Sequence, residues 1–204
     1  MPISPMKTLK VIAAFALPAE QVAISLPGCD VRSLITRISQ PYAAAALAKA
    51  ISDSRPDLVV NVGTAGTPNH NVGDILVGTE FTARDLDKSY ITSISAHVAS
   101  ECPWAAQFPS VVSGVETQEK FLVNSGDNFV LAGDPIKGDA IDMEAFAEAV
   151  VCRAFGVPFV SIKFITDVLG RNSVEAWEAK LADARAALEA YFLRVAEHFD
   201  PKIV

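Results

Sequence analysis

Residues 139–170 read DAIDMEAFAEAVVCRAFGVPFVSIKFITDVLG, and the order of apolar, acidic and breaker residues in this stretch decides the fold class. Ala140 to Met143 is short and apolar enough for a buried strand, and 144–155 has the spacing of a helix. Gly156-Val157-Pro158 stops that helix, and an apolar strand over 159–165 follows. The unit places two acids where polar residues are least expected. Glu144 falls in the first helical turn, near the positive end of the helix. Thr166-Asp167 follow the second strand directly, at the carboxyl end where open α/β sheets place their ligand crevices. Singly, each acid reads most simply as a dipole partner or a helix cap. Together they are candidates to face one cleft.

Outward from this stretch the pattern alternates. Strands are expected at 11–16, 33–39, 58–63, 74–83, 111–114, 120–124, 140–142 and 159–165, and helices at 42–52, 144–155 and 173–198. Such alternation implies an α/β fold, a three-layer αβα sandwich with a central mixed, largely parallel twisted sheet covered on both faces. In the last helix Trp177, Leu181, Ala184, Leu188, Tyr191 and Val195 recur at helical spacing and are expected as core. Asn172 and Glu175 form its capping box. No GxGxxG follows a strand and no P-loop is present, which removes the main support for a dinucleotide or a nucleoside triphosphate.

Half of the 204 residues are apolar, enough to bury a full core, and no stretch reads as a linker; one domain over 1–204 is expected, with 1–9 flexible. The formal charge of −7, without a Lys/Arg cluster, argues against nucleic acid or an acidic membrane surface as partner. Cys29, Cys102 and Cys152 are widely spaced and lack a CxxC pair, as reduced thiols of a cytoplasmic protein would be. The apolar run 11–17 after Lys7 and Lys10 is read as a first core strand rather than a secretory signal, and no later segment is apolar enough to span a bilayer. His70, His97 and His198 have no metal-ligand spacing, and His70, in a turn of Pro, Asn and Gly, is expected in solvent.

Four segments in order carry a family resemblance. They are the strand and Gly-Thr-Ala-Gly turn of DLVVNVGTAG (57–66), VGDILV (72–77), SGDNFV (125–130), and DMEA followed by VPF and ITD within 142–167. Together they resemble the nucleoside phosphorylase and nucleosidase superfamily, and within it most closely the 5′-methylthioadenosine/S-adenosylhomocysteine nucleosidases. The resemblance runs from about 11 to 170, although 88–109 does not align.

The reaction thus implied is cleavage of the N-glycosidic bond of an adenine-type nucleoside. It leaves a ribosyl group with oxocarbenium character and a purine anion that departs poorly unless N7 is protonated. Asp167 is the candidate acid, since a carboxylic acid partly withdrawn from water keeps a proton available, and Thr166 resembles the neighbour that orients it. Glu144 matches the glutamate that accepts hydrogen bonds from the ribose hydroxyls as an ionised carboxylate. The resemblance further has Met143 packing on the ribose, Phe129 stacking on the purine and Val130 reading its edge through the backbone. Without its SGDNF context, Phe129 would read as an ordinary core aromatic.

Water and phosphate are the two alternative nucleophiles. Phosphorylases of the superfamily carry an Arg after the first strand and another before the Gly-Ser/Thr turn; here those places read ALPAEQ (16–21) and Asn61, so a dianion lacks its usual cationic fork. Glu20 resembles the glutamate that activates water in the nucleosidases, with Thr64 as its hydroxyl partner. Pro18 leaves the register open by one residue, and Gln21, in the other register, is no base. Arg84, beside Asp85, is the one credible cation for phosphate. The reading is therefore a purine nucleosidase without metal or organic cofactor, taking a small-molecule nucleoside and carried by family resemblance to a homodimer. A phosphate-dependent phosphorylase and a noncatalytic nucleoside-binding module are the alternatives. Methylthioadenosine, S-adenosylhomocysteine, deoxyadenosine and futalosine-like nucleosides are not ranked by these motifs, and Tyr42 is expected to narrow the site.

Overall fold

The computed structural model describes residues 8–86, 95–128, 130, 136–169 and 173–202. In chain order the elements are β1 (Leu9–Phe15), β2 (Cys29–Ile35), α1 (Gln40–Ser54), β3 (Leu58–Thr67), β4 (Ile75–Ala83), β5 (His97–Ala99), β6 (Ser110–Val112), β7 (Val115–Thr117), β8 (Phe121–Ser125), β9 (Ala140–Asp142), α2 (Ala145–Phe155), β10 (Phe159–Val168) and α3 (Ser173–His198). A short 3-10 turn, Pro18–Glu20, follows β1.

The strands form one mixed sheet in the order β2-β1-β3-β9-β8-β4-β6-β7, with β10 paired to both β3 and β4 and β5 paired to β4. The pairings of β1 with β2 and β3, of β3 with β10, and of β8 with β4 and β9 are parallel. Because β10 bridges β3 and β4 while β9 and β8 connect the same two strands on the other side, β3, β10, β4, β8 and β9 close into a ring.

Two cores flank the sheet. On one face Val60, Val62, Ile162 and Phe164 meet Ala184, Leu188, Tyr191 and Val195 of α3. On the other, Ile12, Ala14, Val59, Phe159 and Ile165 meet Leu47 and Ile51 of α1 and Phe146, Ala149 and Cys152 of α2. The three layers follow from two periodicities: the strands alternate by two, while α1 repeats Ala43, Leu47 and Ile51 every fourth residue. Each large apolar side chain so buried contributes about 1.5–3 kcal/mol.

The second half of the chain follows the sequence reading closely. β9 and α3 have the expected limits, and α2 ends at Gly156, whose φ of 66° is the left-handed cap. Several expectations need correction. Leu9 is not part of a flexible start: its N–H bonds the Gly28 carbonyl and opens the β1–β2 ladder. The second strand is Cys29–Ile35 rather than 33–39, because it pairs from Leu9 onward and the backbone breaks at Arg37 and Ser39, both at positive φ. An edge strand covered on one side carries too weak an apolar pattern to fix its own limits. The expected strand at 111–114 is a hairpin, β6–β7, turning at Ser113 and Gly114 with φ of 52° and 78°, as a two-residue type I′ turn requires. β5 was not anticipated. β3 does not turn at its glycines but runs on to Thr67, held by β10 from Val59 to its end. Asn172 of the expected capping box lies outside the described residues.

Candidate active site

β1, β3 and β10 run parallel, and their carboxyl ends open one cleft of about 780 Å³, including its mouth. Ala16, Leu17, Ile38, Met143, Leu169 and Trp177 give it apolar walls; Glu20, Thr64, Glu144, Thr166 and Asp167 supply polar groups, and Val130 closes one side. Seven of the eight residues singled out in the sequence thus line a single space. The eighth, Phe129, lies outside the described residues.

Asp167 reaches the cleft through a break in strand register. Ile165 pairs with Ala65, but it is Asp167, not Thr166, that pairs with Gly66. The extra residue is a β-bulge. Strict alternation would put Asp167 on the face of Ile165; the bulge carries it to the face of Gly66. A methyl group on Gly66 would stand 3.1 Å from Asp167 Oδ2 and 3.0 Å from Leu169 Cδ2, so the glycine makes room for the acid. Thr166 Oγ1 donates to Asp167 Oδ1 at 2.8 Å, with the Ala65 carbonyl also within reach at 3.2 Å. Asp167 is 6 % exposed, more deeply withdrawn than the half-buried position expected.

Glu20 enters from the 3-10 turn, also buried. Its Oε1 accepts from the Thr64 N–H at 3.0 Å and from Thr64 Oγ1 at 2.5 Å. It is therefore Glu20, and not Gln21, that meets Thr64. Trp177, expected as core, instead stands at the cleft wall, and its indole N–H donates to Thr64 Oγ1 at 2.8 Å. Sequence periodicity placed this residue on the inner side of α3 but had no means of telling a core from a cleft.

Glu144 is the N-cap of α2 rather than a residue of its first turn. Its Oε1 accepts from the Ser39 N–H at 3.1 Å and its Oε2 from the Met143 N–H at 3.3 Å. Ser39 presents its N–H from a φ of 96°, a conformation rare outside glycine that the α1 entry holds in place. Burial, reinforced by the Asp142 carboxylate, pushes Glu144 up to about 8. Before any ligand binds, burial thus works against the ionised form that the resemblance implies for ribose binding.

Beneath Glu144 lies a charge cluster that the sequence reading missed. Lys163, in the middle of β10, pairs with Asp142 at 2.9 Å, both nearly inaccessible. Burial would strip the lysine of its proton, but Asp142, with Glu144 nearby, outweighs it and holds the ammonium charged above the usual lysine range. Asp142 also accepts from Ser125 Oγ at 2.5 Å and the Ala145 N–H at 3.0 Å, which ties the 125–128 loop and the start of α2 to the lysine. Glu148, fully buried one turn into α2, is pushed up by burial to about 7.

Arg84 lines the cleft, but its side chain is fully engaged. A guanidinium has five N–H donors. Nε donates to Asn128 Oδ1 at 3.1 Å, Nη1 to the carbonyls of Asn124 and Asp142, both at 2.9 Å, and Nη2 to those of Gly126 and Asn128, both at 2.7 Å. No donor remains for a phosphate. Arg84 holds the 124–128 loop, whose Asp127 accepts from the Gln40 N–H at 2.7 Å and so caps α1. Asn61, where the phosphorylases carry an arginine, is buried and accepts from Ser161 Oγ at 2.7 Å.

Two further expectations are corrected. Tyr42 does not narrow the cleft; it is 59 % exposed beneath the Arg37 guanidinium. His70 is not solvated but packs edge-on against Phe121 with Asp139 Oδ1 at 3.3 Å from its Nε2. Among the described residues no three His, Cys, Asp or Glu side chains converge as metal ligands do.

Comparison with known proteins agrees with this architecture. A model of the Phosphorylase superfamily matches residues 111–197. A 5′-methylthioadenosine/S-adenosylhomocysteine nucleosidase of Anoxybacillus flavithermus is 31 % identical over 181 residues, covering 78 % of this chain and 77 % of the relative. The nucleosidase of the same name from Helicobacter pylori, solved in complex with a substituted pyrrolidin-3-ol, superposes with a TM-score of 0.79 at 16 % identity over 95 % of this chain and all of the other. The futalosine hydrolase of Helicobacter pylori superposes with a TM-score of 0.75 at 20 % identity, covering 93 % of this chain and 97 % of the other. At such identities the two structures speak for the fold, and the sequence match speaks for descent: the chain belongs to the 5′-methylthioadenosine/S-adenosylhomocysteine nucleosidase family of the phosphorylase superfamily.

Proposed function

We propose that the protein hydrolyses the N-glycosidic bond of an adenine-type nucleoside of the 5′-methylthioadenosine or S-adenosylhomocysteine kind, releasing the purine and a free sugar. The observation that carries this reading is the convergence of Glu20, Glu144 and Asp167 on one apolar cleft whose lining cation, Arg84, has every donor spent on protein oxygens.

In this mechanism the C1′–N9 bond breaks with its electron pair passing to the purine, and Asp167 delivers a proton to N7 as it leaves. Glu144 accepts the ribose hydroxyls, and its carboxylate, once ionised, faces the positive charge developing on the sugar. Glu20 takes a proton from the water whose oxygen bonds to C1′. Met143 packs on the sugar, Phe129 stacks on the base, the Val130 backbone reads its edge, Thr64 holds Glu20 and Thr166 holds Asp167. A cleft whose unspent polar groups are acidic favours an uncharged nucleoside over a nucleotide. The proposal extends to one domain over the whole chain, acting as a homodimer in the cytoplasm; no helix among the described residues is long and apolar enough to cross a membrane.

The test is a product analysis. Incubated with methylthioadenosine, S-adenosylhomocysteine, deoxyadenosine and futalosine in phosphate-free buffer, the protein should release purine and free sugar from its preferred nucleoside. Phosphate should leave the rate unchanged. Turnover that needs phosphate and yields a sugar 1-phosphate would refute the hydrolytic reading.

A further inference from the structure

We infer that Trp177 is a positioning residue for the water-activating carboxylate: its indole N–H fixes the Thr64 hydroxyl, and through it the orientation of Glu20. The inference rests on the reading of Glu20 given above. Its substance is the direction of two hydrogen bonds. Trp177 Nε1 lies 2.8 Å from Thr64 Oγ1, and the same oxygen lies 2.5 Å from Glu20 Oε1.

An indole nitrogen donates and never accepts. Thr64 Oγ1 is therefore the acceptor toward Trp177, and its single proton points at Glu20 Oε1. The Thr64 N–H reaches the same Oε1 at 3.0 Å. Two donors thus converge on one carboxylate oxygen. Among the described residues no donor is found on Oε2, which is the oxygen left to take a proton from water. The relay spans three layers of the site: α3 supplies the indole, β3 the hydroxyl, and the 3-10 turn after β1 the carboxylate.

Both neighbours of the hydroxyl restrict it. Without the indole N–H, the Thr64 hydroxyl gains rotational freedom and loses the partner that polarises it toward Glu20. The carboxylate then loses part of its hold. A wall residue that merely filled space would show none of this.

Trp177→Phe retains an aromatic wall and deletes only the N–H. It should lower kcat by about three- to tenfold, the net worth of one neutral hydrogen bond, while KM moves by less than about twofold. In a Thr64→Val background, where the relay is already cut, Trp177→Phe should add no further loss. A second measurement needs no change at Trp177. In the two-tryptophan wild-type chain, the Trp177 indole N–H resonance should shift on Thr64→Val and on Glu20→Gln, while that of Trp104 stays in place. Unchanged kcat in Trp177→Phe, losses that add in the double variant, or an indole resonance indifferent to Thr64→Val would each overturn the relay. Glu20→Gln separates the two levels. If it turns over normally, the reading of Glu20 as base falls; if it is inactive while Trp177→Phe is unaffected, the relay alone falls.

Discussion

Asp167 accepts from Thr166 with Oδ1 and faces Gly66 with Oδ2, so a proton on Oδ2 can leave without breaking the bond from Thr166. Asp167→Asn keeps the size and the hydrogen-bonding capacity of the side chain but has no acidic proton for the departing purine. Its kcat should fall by ~10²–10⁴, the usual worth of general acid catalysis, with melting temperature and inhibitor affinity close to wild type. Steady-state kinetics beside calorimetry would check this; near wild-type turnover would remove Asp167 from the mechanism, and simple unfolding would make it a structural cap. At this scale the sequence was informative wherever an acid stood at the end of an apolar run, as Glu144 and Asp167 do. It was silent on Lys163, because one lysine inside VSIKFIT does not disturb an apolar pattern and its partner Asp142 is twenty-one positions away. Glu148 was equally hidden, being an ordinary residue of an amphipathic helix until α2 packs it against Lys163, Asp142, Asn61 and Thr36.

The elements that set the site are β3 and β10, and what matters in them is an irregularity. The β10 bulge turns Asp167 toward Gly66, where hydrogen alone leaves space. Gly66→Ala should therefore act on catalysis before stability. A methyl group 3.0–3.1 Å from Leu169 and Asp167 displaces both by a few tenths of an ångström, and catalytic rates are steep in such displacements. The expected loss is about tenfold or more in kcat, with a melting temperature that changes little; a kinetically silent Gly66→Ala would show that the fit around Asp167 is loose. The bulge was not legible, since bulges follow from pairing and the sequence shows only which strand has apolar residues. The same reason explains why β3 and β10 ran past their expected ends: Gly63 to Gly66 reads as a turn in isolation, and the pairing with β10, with β9 at Gly66, keeps it extended. The three-residue strands β5, β6 and β7 fall below the length at which alternation is detectable. α2 and α3, by contrast, carry enough turns for their period to be unmistakable.

Across the whole molecule the buried charges make folding itself depend on pH. Glu144 and Glu148 are raised by burial from 4.5 to about 8 and about 7. They face Asp142 on β9, Lys163 on β10, and, for Glu144, Arg84 at the end of β4. Lys163 and its partner Asp142 cancel each other, so the two glutamates are an uncompensated surplus when ionised. Because their folded values lie above the unfolded one, the native state binds protons that the unfolded chain releases between pH 4.5 and 8. Stability from this source is complete below the unfolded value and is lost as pH rises through 7 and 8. At ~1.4 kcal/mol per pH unit, moving Glu148 from 4.5 to about 7 corresponds to ~3 kcal/mol. Scanning calorimetry should thus show the melting temperature falling as pH rises from about 5 to about 8. Glu148→Gln, which cannot ionise, should flatten that fall, most of all between its unfolded value of 4.5 and its folded value of about 7. A wild-type melting temperature that holds level or rises over the same interval would mean that both glutamates ionise at no cost. Lys163 would then be balancing more negative charge than its ion pair with Asp142 accounts for.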